Sequence, residues 1–224
     1  MRIAAEILVL CCTTLASACS IVSSSCNFLD DKLPVVFVGT VISPDDPETQ
    51  VLLHDSPILF SVTESLRGNV GKQISIYETR TSCDFSFKLG KSYLVYAYLE
   101  NGRLMTSELT STRPTWAAGA LLRQLRTFSQ GQQPVSLFGY LGEGGPTSER
   151  PMAAVTIEAT SKHRTFTVRS GVDGSFEFNH LPPGLYRIKA ELPKGYTPAG
   201  TYAQIKPGES CDLRYVWAIR DGHH

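Results

Sequence analysis

Hydrophobic and polar residues alternate along much of this chain with a period of two, which is the pattern of half-buried β-strands. The range 173–190 shows this most clearly. Phe176 and Phe178 are separated by one polar residue, and Asp173–Gly174 before them is a tight-turn pair, because glycine adopts positive φ freely. Pro182–Pro183–Gly184 ends this strand, since proline cannot donate to a ladder. Apolar and basic residues then alternate in the returning strand: Tyr186, Arg187, Ile188, Lys189 and Ala190.

The first half of the chain predicts several short strands. The range 33–43 is almost continuously apolar, which indicates a strand buried on both faces or set in a barrel wall. Asn101–Gly102 predicts a two-residue hairpin. Further strands are predicted over 51–53, 58–66 (with Phe60, Val62 and Leu66 toward a core), 73–77, 92–99 and 103–107.

One helix is predicted after Pro114, with Thr115 as its cap and its end at Ser129. Its apolar face is formed by residues at helical spacing: Trp116, Ala120, Leu121, Leu125 and Phe128. The polar range 130–134 follows as a linker. Beyond it, seven strands suit a small sandwich: 135–141, 155–159, 165–169, 176–178, 185–192, 202–205 and 212–217.

The charge of the chain mainly serves to exclude one class of partner. The 224 residues carry a formal net charge of +0, and no basic stripe with interleaved aromatic residues is present. Nothing therefore attracts nucleic acid at long range, and we expect no nucleic-acid partner.

The N-terminus resembles a secretory signal. The apolar range 7–16 is followed by Ala16–Ser17–Ala18, a small-residue cleavage site, so we expect a signal peptide over 1–18. A buried N-terminal strand or helix is the alternative. The apolar range is too short to span a bilayer, and no other segment approaches spanning length, so no transmembrane segment is predicted.

Four cysteines remain after such a cleavage: Cys19, Cys26, Cys83 and Cys211. An even number in an exported chain suggests disulfides, with Cys83 bonded to Cys19 or to Cys26. Cys211 is either a buried free thiol or a partner of Cys26. The spacing contains no C-x-x-C, which disfavours a zinc ribbon. Acylation of Cys19, as in a lipoprotein, is the second alternative at this position.

No reaction centre is evident. His54–Asp55 has no accompanying serine or cysteine signature, and H-E-x-x-H is absent, so we predict neither an enzyme nor a cofactor or metal site. His163 and His180 are expected to be solvated. The aromatic residues Phe176, Phe178, Tyr93 and Tyr96 are expected to pack in cores rather than to form a sugar-stacking platform.

The second half is similar to the carboxypeptidase regulatory-like domain, a transthyretin-like β-sandwich. The matching residues are Ala153–Ala154–Val155, Asp173–Gly174–Ser175–Phe176 and Leu181–Pro182–Pro183–Gly184–Leu185–Tyr186. The opening strand departs from the family, with Leu137–Phe138–Gly139–Tyr140 where G-x-V is typical. The resemblance implies a carbohydrate-binding-like sandwich and a role for glycans as one alternative.

The first half resembles a netrin-like barrel, the fold of the tissue inhibitors of metalloproteinases. The resemblance depends on Cys19–Ser20, on 36–40 and on 82–85 before 90–96. It implies that the α-amine and carbonyl of Cys19 chelate the zinc of a target protease, that Ser20 enters its specificity pocket, and that Cys83 is the disulfide partner of Cys19. Ile21 stands where the family has a second cysteine.

We therefore predict a mainly β protein: an OB-like netrin-type barrel with one packed helix over 19–129, a linker over 130–134, and a seven-stranded transthyretin-like sandwich over 135–219. The predicted function is an exported, non-catalytic binding protein with a protein or glycan partner, secreted or held in the periplasm or cell envelope. The alternatives are a metalloprotease inhibitor acting through Cys19, carbohydrate binding by the sandwich, and a membrane-anchored lipoprotein.

Overall fold

The computed structural model describes residues 33–43, 57–78, 85, 87–107, 110–132, 137–144, 150–199, 201–205 and 212–221. In these ranges the chain is mainly β with one α-helix, as predicted. The elements are β1 (Val35–Ser43), β2 (Ile58–Arg67), β3 (Gln73–Glu78), β4 (Ser92–Glu100), β5 (Arg103–Thr106), β6 (Arg113–Pro114), α1 (Gly119–Ser129), β7 (Leu137–Glu143), β8 (Thr156–Thr160), β9 (Thr165–Arg169), β10 (Ser175–Phe178), β11 (Gly184–Ala190), β12 (Tyr196–Ala199), β13 (Thr201–Ile205) and β14 (Asp212–Arg220).

The first five strands close into a barrel. Their order is β1-β2-β3-β5-β4, and β4 also pairs with β1, which completes the closure. The β3–β5 pairing is parallel, and β6 adds to the free side of β4. The strand predicted over 51–53 lies outside the described residues.

Strand β1 is buried on both faces, which confirms the prediction from its continuous apolar sequence. Phe37 points into the barrel with Phe60 and Val95, whereas Val36 packs with Leu94 in a second cluster beside the helix. Edge-to-face contacts between aromatic rings fill one end of the interior, formed by Phe60, Phe85, Phe87 and Tyr93. The barrel interior is thus a packed core.

The predicted hairpin between β4 and β5 is confirmed. Asn101 and Gly102 have φ angles of 50° and 77° and connect strands paired from Glu100↔Arg103 onward. Two successive positive φ values match the right-handed twist of the strands, which is why this dipeptide is favoured there.

The helix begins later than predicted. A 3-10 turn (Thr115–Ala117) precedes it, and Ala118 is the N-cap, with no side-chain cap. The prediction that Thr115 caps the helix is therefore wrong: its hydroxyl donates to the Ser92 carbonyl instead, 3.2 Å away. The intervening turn moves Thr115 too far from the first free N–H groups of α1 to cap them.

The apolar face of α1 also differs at its end. Ala120, Leu121 and Leu125 are buried as predicted, and Leu122 joins them. Phe128 is 39% exposed, so its assignment to the core is wrong. The buried stripe follows Leu121, Leu122 and Leu125, and Phe128 lies in the last turn outside that cluster.

The second half is a sandwich of two four-stranded sheets with orders β10-β7-β14-β12 and β13-β11-β8-β9. Its described residues form eight strands rather than the predicted seven. The addition is β12, which contains Pro198 and pairs only with β14. A proline weakens the sequence signal for a strand but is tolerated on an edge strand, where one side of the backbone needs no partner.

The returning strand at 184–190 does not pair with the strand before it. Strand β10 pairs with β7 in one sheet, and β11 pairs with β8 and β13 in the other. Phe176 and Phe178 of β10 share a core cluster with Tyr186 and Ile188 of β11. The proline-rich segment between them therefore crosses from sheet to sheet, and the Tyr186 hydroxyl donates to the Pro182 carbonyl at 2.8 Å.

Candidate binding surface

The residues predicted to carry function at the N-terminus lie outside the described residues. They are Cys19 and Ser20 of the inhibitory edge, and Cys26 and Cys83 of the disulfides. Cys211 and His54–Asp55 also lie outside them. The inhibitory edge and the disulfide pairing therefore stay predictions.

The packing role predicted for the aromatic pairs is confirmed. Phe176, Phe178, Tyr93 and Tyr96 are all buried, so none of them offers a ring face to a sugar. His163 and His180 are exposed, as expected. Within the described ranges, no three His, Cys, Asp or Glu side chains gather closely enough to hold a metal ion. No helix there has the length and apolar character needed to cross a membrane.

Among the described residues, the most deeply buried carboxylate, that of Asp212, has a structural role. Asp212 accepts a hydrogen bond from Arg214 (2.7 Å) and another from the backbone N–H of Gln204 (3.2 Å), which belongs to the opposite sheet. Burial raises the pKa of Asp212, and the Arg214 guanidinium opposes that rise. The pair joins the two sheets at one end of the sandwich.

The two sheets of the sandwich differ in what covers them. The sheet containing β7 and β14 is covered by the helix and the barrel. Phe138 of β7 and Leu213 of β14 pack in the same cluster as Leu121 of the helix and Val36 of the barrel. The two halves of the protein therefore share one apolar core at their junction.

Two arginines on α1 reinforce this junction in opposite directions. Arg123 donates to Glu177 (2.8 Å) and to the Ser175 hydroxyl (2.6 Å) of the sandwich. Arg126 makes a two-point contact with Glu64 of the barrel, at 2.9 and 2.6 Å. Planar guanidinium groups suit such paired contacts. The helix is thus held by polar contacts to both halves.

An aromatic cluster completes the covered face. The rings of Trp116 and Trp217 meet Tyr140 edge-on, with centroids 5.5 and 5.7 Å from it. The Arg113 guanidinium lies 4.7 Å from the ring centroid of Tyr215, and burial lowers the pKa of Arg113 to about 10. A side chain at Gly142 would collide with the rings of Tyr140 and Trp217, so both rings pack directly on the backbone of β7.

The other sheet exposes its outward side to solvent, and we call this side the outer face. One row of residues crosses all four strands by register: Tyr202 of β13, Arg187 of β11, Thr160 of β8 and Thr165 of β9. The next row contains Lys189, Glu158 and Thr167. Leu185 opposes Gln204 on the other side of the first row.

Two large apolar side chains stand exposed on the outer face. Leu185 is 62% and Tyr202 60% exposed, and the register places them diagonally across neighbouring strands beside Arg187. Tyrosine and arginine are the residue types that most often dominate protein–protein binding energies. This group has the composition of a small interaction patch.

The basic residues of the outer face differ from four arginines elsewhere in the described part of the chain. Arg123, Arg126, Arg214 and Arg220 all contact carboxylates. No ion pair joins the outer-face basic side chains to any described residue: Lys162, Arg187 and Lys189. They are exposed and available to a partner.

Sequence reasoning missed this patch. The alternation around Arg187 and Lys189 correctly marked an outward-facing side of β11, because the intervening residues are buried. Nothing in the pattern distinguished a strand covered by another module from one open to solvent. An apolar residue at an outward position, such as Leu185, was the available signal.

Comparisons with known proteins do not assign the chain to a family. No family model matches it. A stretch of 77 residues is 32% identical to a fibrinogen-binding protein of Staphylococcus epidermidis, which corresponds to 34% of this chain and 7% of that protein. The chain thus matches less than a tenth of that relative's length.

Two solved structures align over most of the chain. The minor pilin GBS52 of Streptococcus agalactiae shares 11% identity over 85% of this chain and 84% of its own, with a TM-score of 0.32. A major pilin of Streptococcus pyogenes shares 14% identity over 84% and 89%, with a TM-score of 0.18. Scores this low do not assign a fold.

Proposed function

We propose that this chain is a non-catalytic extracellular binding protein that presents the outer face of its sandwich to a protein partner. The observation that carries the proposal is the contrast between the two sheets: one is covered by the helix and barrel, and the other exposes Leu185, Tyr202 and Arg187 together. The signal-like N-terminus and the similarity to a fibrinogen-binding protein support an extracellular location.

We also propose the finer fold assignments. The barrel order β1-β2-β3-β5-β4 with closure onto β1 supports an OB-like, netrin-type barrel. Two four-stranded sheets, and a turn at Asp173–Gly174 where the resemblance expects one, support a transthyretin-like sandwich. In this arrangement the barrel and helix act as a rigid support for the sandwich.

The test is binding of the purified chain to an array of extracellular and plasma proteins that includes fibrinogen. We expect saturable binding to at least one protein, and we expect Leu185→Ser combined with Tyr202→Ser to weaken it about tenfold. Leu99→Ser is the matched control, because Leu99 is 64% exposed but lies on the barrel. Absence of binding to every protein, or equal loss with the control, contradicts the proposal.

Two other functions follow from the resemblances and have their own tests. Inhibition of a zinc metalloprotease requires an unblocked Cys19 at the mature N-terminus, which N-terminal sequencing determines. Carbohydrate binding by the sandwich requires retention on a glycan array. A mature chain that begins at a residue other than Cys19 would exclude metalloprotease inhibition. Absence of binding to every glycan on the array would exclude carbohydrate binding.

A further inference from the structure

Basic residues of the outer face lie toward the end of the sheet that contains the β8–β9 turn. The β8–β9 turn follows Thr160 directly and carries Lys162 and His163, both exposed. Arg164 precedes the outward Thr165 and therefore faces the other side of the sheet. Thr160 opposes Arg187 in the sheet, so the turn and Arg187 lie at the same end of the face. The tight turn is held by the backbone N–H of Ser161, which donates to the Arg164 carbonyl at 2.8 Å.

Few acidic residues lie near the basic residues of the outer face. Within the described part of the outer face the acidic residues are Glu158, which is paired by register with Lys189, and Glu191 beyond the end of β11. The basic side chains outnumber them while the whole chain has a net charge of +0. A local positive surface on a neutral protein favours an acidic partner and adds little attraction for other surfaces.

We infer that the outer face binds an acidic polypeptide segment, and this inference rests on the proposed protein-binding function. The segment's carboxylates contact Arg187 and Lys162 of the β8–β9 turn, and an apolar side chain packs on Leu185 and Tyr202. Strands about 4.8 Å apart make the row from Tyr202 to Thr165 about 14 Å long. An extended segment of about five residues spans that distance at about 3.3 Å per residue.

The apolar neighbours distinguish a polypeptide from a polyanion such as a sulfated glycan. A polyanion gains nothing from Leu185, which is 62% exposed beside Arg187. Glu158 interrupts the basic surface between Lys189 and Thr167, and it repels a uniformly charged chain. A polypeptide can place a neutral residue opposite Glu158 and an acidic residue opposite Arg187.

The experiment measures binding of the full chain to three probes: a random copolymer of glutamate and tyrosine, poly-L-glutamate, and heparin. We expect the copolymer to bind saturably and more tightly than either uniform polyanion, and added salt to weaken it. Arg187→Ala should raise the Kd for the copolymer about tenfold and Tyr202→Ser about fivefold. Lys194→Ala, an exposed lysine outside the outer face, should change it less than about twofold.

Circular dichroism and thermal melting of each variant confirm that the fold is retained. Equal or tighter binding of heparin, with no effect of Tyr202→Ser, overturns the inference in favour of a polyanion site. Absence of binding to all three probes overturns it as well. If the protein array yields a partner whose binding is unaffected by Arg187→Ala, the proposed function stands and the acidic-segment inference fails.

Discussion

Individual glycines carry distinct constraints in this chain. Gly102 has a φ of 77° in the β4–β5 hairpin, and a Cβ there would meet no atom within 4 Å. Gly71 has no positive φ, and a Cβ there would make only an ordinary contact at 3.7 Å. The backbone conformation alone therefore separates the two positions.

We predict that Gly102→Ala lowers the free energy of unfolding by about 1 kcal/mol, because a side chain disfavours the left-handed region. Gly71→Ala serves as its control and should be neutral or slightly stabilising, since it reduces the freedom of the unfolded chain. Urea denaturation of both variants measures the difference. Equal destabilisation by the two substitutions would contradict the hairpin geometry.

The Glu64–Arg126 contact gives a pH-dependent contribution to stability. The hydrogen bonds from Arg126 lower the pKa of Glu64, whereas partial burial works against that effect. A carboxylate with a lowered folded pKa stabilises the protein above its unfolded pKa of about 4.3, and loses that contribution as the pH falls through the folded value.

We predict that Glu64→Gln lowers the thermal midpoint at neutral pH and that the difference from the wild type vanishes in acid. Thermal melts between neutral pH and pH of about 3 measure it. Glu191→Gln, at an exposed site with no ion pair among the described residues, is the control. A constant difference across the range would show that the ion pair is not its cause.

The helix α1 is the element on which the arrangement of the two halves depends. It contributes Leu121, Leu122 and Leu125 to a cluster that includes residues of both the barrel and the sandwich. The sequence correctly predicted the helix and most of its apolar face, because helical periodicity is a local property. It did not predict the exposure of Phe128, because that depends on where the neighbouring sheet ends.

We predict that Leu121→Ala costs about 2–5 kcal/mol, since it removes a side chain that is 2% exposed and leaves a cavity. Phe128→Ala should cost at most about 1 kcal/mol, because its side chain is partly solvated. Chemical denaturation compares the two. A larger loss at Phe128 would show that the helix is rotated relative to the described packing.

For the molecule as a whole, the two halves are joined by one shared apolar cluster. Phe138 of the sandwich is fully buried among barrel and helix residues, in a cluster distinct from the interior cores of the barrel and of the sandwich. Two independent domains would lack such a shared cluster.

We predict a single unfolding transition, coincident by calorimetry, circular dichroism and hydrogen exchange of both halves. Phe138→Ala should lower the free energy of unfolding by about 3–5 kcal/mol. The transition stays single if the two halves remain coupled and splits in two if the substitution uncouples them. Two transitions in the wild-type chain would contradict a shared core.

The sequence alone determined most of the strands in the described ranges, where the hairpin at Asn101–Gly102 turns, and which side of β11 is buried. These features depend on alternation and turn chemistry over a few neighbouring residues. The partner of each strand cannot be predicted in this way, because hydrogen bonds between strands join residues far apart in sequence. The placement of β10 and β11 in opposite sheets, and the addition of β12, therefore emerged only from the folded arrangement.

The same reason applies to the candidate binding surface. Tyr140 and Tyr215 on one sheet and Tyr202 on the other all occupy outward positions of their strands. The packed helix and barrel bury the first sheet, and the second stays open to solvent. Which outward residues are open to a partner thus depends on how the two halves pack, and the local sequence does not predict that packing.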